Sequence, residues 1–101
     1  MRPKVDPALV AAFGSETRVL TLASLANSNV PLTAYRVAKI GGLRPPKVYE
    51  ELRRAKAHGL VGESGGKHVL LDADLRTLFQ RRVRIYDLVP RLVGLFGIPE
   101  L

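Results

Sequence analysis

Four cations, Arg44, Lys47, Arg53 and Arg54, fall within eleven residues, interrupted by the adjacent carboxylates Glu50 and Glu51. Lysine and arginine at this density suit phosphate oxygens, because each neutralised phosphate releases condensed counterions, and arginine can also donate to a guanine edge. Lys67, beside the pair Gly65-Gly66, adds a further cation. Glu50 is the odd member of the set. It can accept from a cytosine amino group or simply repel phosphate; with Glu51 supplying a second negative charge, repulsion is the expected role, so that Glu50→Ala tightens binding to every sequence. Residues 33–67 hold eight Lys and Arg against three Glu, which is +5 of the chain's formal +7. Such a block points to a polyanionic partner, and the competing reading is a solvated surface on a basic protein.

Other chemistries lack their residues. Glu50 and Glu51 are neighbours on a helix and face different directions, so they cannot share a general acid-base site. The two histidines, His58 and His68, have no Asp or Glu at ligand spacing, and the chain has no cysteine, so neither a metal site nor a disulfide is expected. Gly41-Gly42 and Gly65-Gly66 lack the following Lys-Ser or Lys-Thr of a phosphate-cradling loop and read as turns. No enzyme and no cofactor are expected.

The elements that must position the cations are short. Pro45 and Pro46 fit only the first turn of a helix; Val48, Leu52 and Ala55 then make one narrow apolar stripe, and Gly59 supplies the left-handed stop. This predicts a helix over residues 45–58, with Lys47, Arg53 and Arg54 off the buried side. Leu60 to Ser64, Gly65-Gly66, and Lys67 to Asp72 read as strand, tight turn, strand. Upstream, Thr33 caps a helix with Val37 and Ala38 inward, and Gly41-Gly42 turns the chain. The fold class is therefore mostly α with a small β-hairpin: a winged helix-turn-helix over residues 1–72, with the hairpin of residues 60–72 as the wing.

From Phe13 to about Leu71 the sequence resembles the ArsR-type winged-helix transcriptional regulators: Phe13-Gly14-Ser15, Thr17-Arg18, Ala38 and Gly42 around the turn, then Leu43, Val48, Leu52, Gly59, Leu60 and Val61. Two positions depart from that pattern. Gly41 stands where an apolar residue is usual, and Glu50-Glu51 where neutral or basic residues are. The resemblance implies the winged-helix fold. The exposed residues then point to a regulator that lays the helix of residues 45–58 in a major groove of double-stranded DNA and the wing along the backbone or minor groove. Lys47 and Arg53 are best placed for bases or phosphates, with Arg44 and Arg54 flanking them, Lys67 at the wing tip and Glu50 pointing outward. The alternative is a winged-helix module that docks an acidic protein in a larger assembly. Metal sensing does not carry over, since the ligands are missing.

The rest is read as scaffold. Asp6 and Pro7 start a short packing arm closed by Gly14, and Ser15 caps a helix from about Glu16 to Ala26 with a broad apolar face. Leu32 is a strand stub beside the wing. Tyr35 is expected to be partly buried and Arg36 solvated. Residues 73–101 form a helical extension: Asp72 caps it, and Leu75, Leu78, Ile85, Val89, Leu92 and Phe96 recur at three- and four-residue spacing, with Pro90 kinking or splitting the helix near Val89. That stripe exceeds what the domain needs, so a homodimer through Leu78, Ile85, Leu92 and Phe96 is expected; the alternative is a helix folded back on its own domain. Arg81, Arg82 and Arg84 read as a solvated basic face. One hundred and one residues suffice for one core, no apolar run approaches a membrane span, and Asp6-Pro7 interrupts the only signal-like stretch. A soluble, cytoplasmic protein is expected.

Overall fold

Four polar side chains start four helices by accepting a hydrogen bond from a backbone N–H that the first turn would leave unpaired. In the computed structural model, which describes residues 3–83, Asp6 caps α1 (Pro7–Phe13), Ser15 caps α2 (Glu16–Ala26) and Thr33 caps α3 (Ala34–Gly41). Arg44 precedes α4 (Pro45–Ala57) without a side-chain cap, its extended backbone being what a following proline demands. Asp72 caps α5 (Ala73–Arg82).

The strands are β1 (Leu32–Thr33), β2 (Val61–Ser64) and β3 (Lys67–Leu70), in the antiparallel order β1-β3-β2. Ser64 faces Lys67, so Gly65 and Gly66 are the whole turn, and both have positive φ (60° and 78°), which a two-residue hairpin requires. The stub at Leu32 pairs with β3 as expected. Both hairpin strands stop short of their expected outer ends. Leu60 is taken by the end of α4, where its N–H bonds the Ala55 carbonyl, and Asp72 is taken by the cap of α5.

The core is built around α2, whose residues Val19 to Ala26 are all buried. α3 and α4 pack on one side of it through Val37, Ile40, Val48 and Leu52, and α5 on another through Phe79. Gly41 is buried at the end of α3, with Leu43 folded over it so closely that a β-carbon there would lie 3.0 Å from Leu43 Cδ1. The departure at this position therefore does not loosen the turn: Leu43 supplies the apolar cover from two residues later. Gly42 takes the left-handed conformation and the Leu43 N–H bonds the Ala38 carbonyl, closing the helix tightly.

The helix that opens at Asp72 is interrupted earlier than at Pro90. It ends at Arg82, and Val83 takes an extended backbone (φ −119°, ψ 111°) while burying its side chain completely. The break thus precedes Pro90. A β-branched residue favours the extended region, and Arg81 and Arg82 place cations at the carbonyl end of the helix. Within the described residues the stripe is turned inward, with Phe79 and Val83 fully buried and Leu75 and Leu78 packed against the core. Ile85, Val89, Leu92 and Phe96 lie outside the described residues, as does Arg84.

Arg82 is not a free cation. It forms an ion pair with Asp6, so the cap of α1 is tied to the last turn of α5, and this hydrogen bond holds the Asp6 carboxyl below the usual carboxylate range. Arg76 and Gln80 make the second tie. Both donate to the Ala26 carbonyl at the end of α2 (3.1 and 2.8 Å), and Arg76 also reaches the Leu70 carbonyl at 2.8 Å. One arginine thereby satisfies the open end of the core helix and the exit of the hairpin. Among the described residues no single helix is long and apolar enough to cross a membrane.

Candidate nucleic-acid interface

The buried side of α4 fixes what the other side presents. Val48, Leu52 and Ala55 are buried, and Glu50 is two residues from both Val48 and Leu52, about 160° around the helix from each. Glu50 is therefore at the centre of the outward face. Lys47 and Arg54 stand to one side of it and Arg53 to the other, all exposed. The structure brings these four together on one surface. Arg44 is exposed at the entry to the helix, and Lys67 is exposed on the hairpin beside Gly66, a separate part of the surface.

The two adjacent carboxylates have different fates. Glu51 lies on the flank toward α2, where its Oε1 accepts from Arg18 Nε at 2.9 Å; its side chain is 12% exposed. Arg18 also donates to the Phe13 carbonyl, so one guanidinium joins the end of α1 to the back of α4. Thus Glu51 adds no free negative charge to the outward face. The expectation that Glu50 is part of a repelling pair loses its ground. Replacing Glu51 by Ala should lower stability by about 1–3 kcal/mol, the cost of leaving the partly buried Arg18 guanidinium without its carboxylate acceptor. Urea unfolding of the variant checks this, and a loss below about 0.3 kcal/mol would mean that the pair does not hold α4 in place.

A second cation also leaves the free set. Lys56 Nζ donates to Glu63 Oε1 on β2 at 2.8 Å, and that bond holds the Glu63 carboxyl below its ordinary range. The pair fastens the hairpin to α4. Nothing in the sequence marks it, because the partners belong to different elements and meet only across the turn at Gly59. Two aromatic residues add to the surface instead. Tyr49 is 55% exposed on α4, and Tyr35 is 59% exposed on α3, with Lys39 Nζ 5.5 Å from its ring centroid. Tyr35 is thus more open than expected. Arg36 is less so: it is half-buried, and its Nη1 is buried without a hydrogen-bond partner.

His68 is buried in the sheet with Nδ1 3.2 Å from the Leu32 carbonyl oxygen, while His58 is exposed at the end of α4. Among the described residues no three His, Asp or Glu side chains gather where they could hold a metal ion. A half-open cleft of about 240 Å³ lies behind α4, lined by Phe13, Leu22, Ala55 and Leu60 with Arg18, Glu51, Arg54 and His58. Arg54 therefore borders both the cleft and the outward face.

Solved structures share this fold. A crystal structure of a predicted DNA-binding transcriptional regulator from E. coli matches with a TM-score of 0.57 and 19% identity, over 73% of this chain and 81% of that one. A MarR family protein of Mycobacterium tuberculosis matches with a TM-score of 0.56 and 19% identity, over 88% of this chain and 65% of that one. The fold is a winged helix-turn-helix. No protein-family model matches the sequence, and no curated protein does. In the winged helix, α3 and α4 form the helix-turn-helix, α4 takes the place of the recognition helix, and β2 and β3 form the wing. α4 ends at Ala57 with His58 as its cap residue, one residue before the expected end.

Proposed function

We propose that this winged helix is a DNA-binding transcriptional regulator that lays α4 in the major groove of double-stranded DNA, with the wing on the backbone. One observation carries the reading. Lys47, Arg53 and Arg54 are exposed on the face of the second helix of the helix-turn-helix that is turned away from the core, and none enters an ion pair among the described residues. Arg44 extends that face toward the helix entry, and Lys67 offers one phosphate contact from the wing. The names of the two similar structures support the same reading. The motif pattern from Phe13 to Leu71 supports an ArsR-type module, and the site residues suit binding, not catalysis or metal sensing. A cytoplasmic location follows from that role.

Retention of mixed-sequence duplex DNA at rising salt tests it. Binding should weaken steeply with salt, with a slope set by the phosphates neutralised. Salt-insensitive or absent binding would shift the assignment to the module that docks an acidic protein.

The regulator also acts as a homodimer in this proposal, joined through the chain beyond α5, where Ile85, Leu92 and Phe96 continue an apolar series. Leu78, half-buried on the domain's own core, has less to offer a partner than those three. Sedimentation at micromolar concentration should give a dimer that Ile85→Glu or Leu92→Glu converts to a monomer. A monomer unaffected by either change would remove the dimer.

A further inference from the structure

Glu50 is the long polar side chain on the midline of the outward face of α4. Pro46 and Ala57 lie close to Glu50 around the helix, about 40° and 20° away, and both are exposed and short. Glu50 is therefore the group that reaches furthest along the line of closest approach, while the cations stand about 40–60° to either side. Lys47, Arg53 and Arg54 are at i−3, i+3 and i+4 from it, all within reach of an ion pair on a helix surface. It pairs with none of them. The Glu50 side chain enters no ion pair or hydrogen bond among the described residues, while its neighbour Glu51 is held by Arg18 and Glu63 by Lys56.

A groove has the complementary arrangement. Phosphates line its two rims, where the flanking cations fall, and base edges form its floor, toward which the ridge points. A carboxylate has only acceptors, and in the major groove the exocyclic amino groups of cytosine and adenine are the donors. Adenine sets its ring-nitrogen acceptor beside its amino group, which a carboxylate cannot satisfy. Cytosine N4 carries no such penalty. We propose that Glu50 reads a cytosine, so that the DNA site taken by this face carries a C·G pair beneath the middle of α4. The proposal rests on the DNA-binding reading above and adds the base that the site selects.

The test starts from sequences selected by the full chain from random duplex DNA. A fixed cytosine should emerge, and replacing it by N4-methylcytosine, which puts a methyl group where the donated hydrogen was, should weaken binding about tenfold. Glu50→Ala should bind the plain and methylated duplexes equally, and Glu50→Gln should move the selected base toward adenine, for which an amide offers both a donor and an acceptor. The methylated duplex uses the unaltered protein, so its result does not depend on a variant folding. Uniformly tighter binding of Glu50→Ala to all sequences would overturn the proposal in favour of phosphate repulsion. Salt-dependent binding without any selected base would overturn it while leaving DNA binding intact. Absence of DNA binding would overturn both.

Discussion

Phe79→Ala should destabilise the domain by about 3–5 kcal/mol, the cost of removing a fully buried aromatic side chain whose space the neighbours cannot fill. Phe79 has no exposed surface, and its ring lies 5.2 Å from that of Phe13 at an interplanar angle of 46°. The same side chain therefore holds α5 against α2 and clamps the end of α1. Tilted aromatic pairs contribute about 0.5–1.5 kcal/mol beyond the area they bury, so the upper part of the range is expected. A small domain has roughly 5–15 kcal/mol in total, and this variant should melt far below the parent. Leu71→Ala is the control, because Leu71 is 59% exposed and its loss should cost no more than about 0.5 kcal/mol. Circular dichroism during urea unfolding measures both. If Phe79→Ala cost less than 1 kcal/mol, α5 would be an appendage and not part of the core.

How far the sequence reveals this arrangement depends on the range of the interaction. The caps at Asp6, Ser15, Thr33 and Asp72 are local: each polar side chain bonds a backbone N–H two or three residues away, so residue type and position suffice to place the helix starts. The Gly65-Gly66 turn is local in the same sense, and the winged helix could be read from such signals. The apolar stripe of α4 also follows from spacing, and with it the exposure of Lys47, Glu50, Arg53 and Arg54.

Ties between distant elements are another matter. Spacing sets Glu51 on the flank of the apolar stripe and Glu50 opposite it, but it does not show that Glu51 meets Arg18, 33 residues away. Arg76 is one arginine among sixteen Lys and Arg, and only the fold brings it to the carbonyls that end α2. The end of α5 at Arg82 is not legible for a related reason. Periodicity records which residues want burial but not where the backbone leaves the helix, and Val83 is buried without being helical.

The largest functional effect should come from Lys47→Ala, Arg53→Ala and Arg54→Ala combined. All three side chains are exposed, so the fold should survive with little loss of stability. If each meets one phosphate, the slope of log affinity against log salt should flatten by about three units. Between 50 and 200 mM salt the parent protein should then lose roughly 40-fold more affinity than the variant does. Arg54 also borders the cleft behind α4, so its single replacement should flatten the slope less than that of Lys47. Arg81→Ala, an exposed cation on α5, separates this face from general basicity: it should leave affinity nearly unchanged if α4 is the element that enters the groove. Gel-shift titrations at several salt concentrations measure these quantities. Unaltered affinity and salt dependence in the triple variant would mean that α4 is not the recognition element. In that event the exposed cations and Tyr49 would belong to a surface for an acidic protein, and the arrangement of Glu50 among them would have to be explained by that partner.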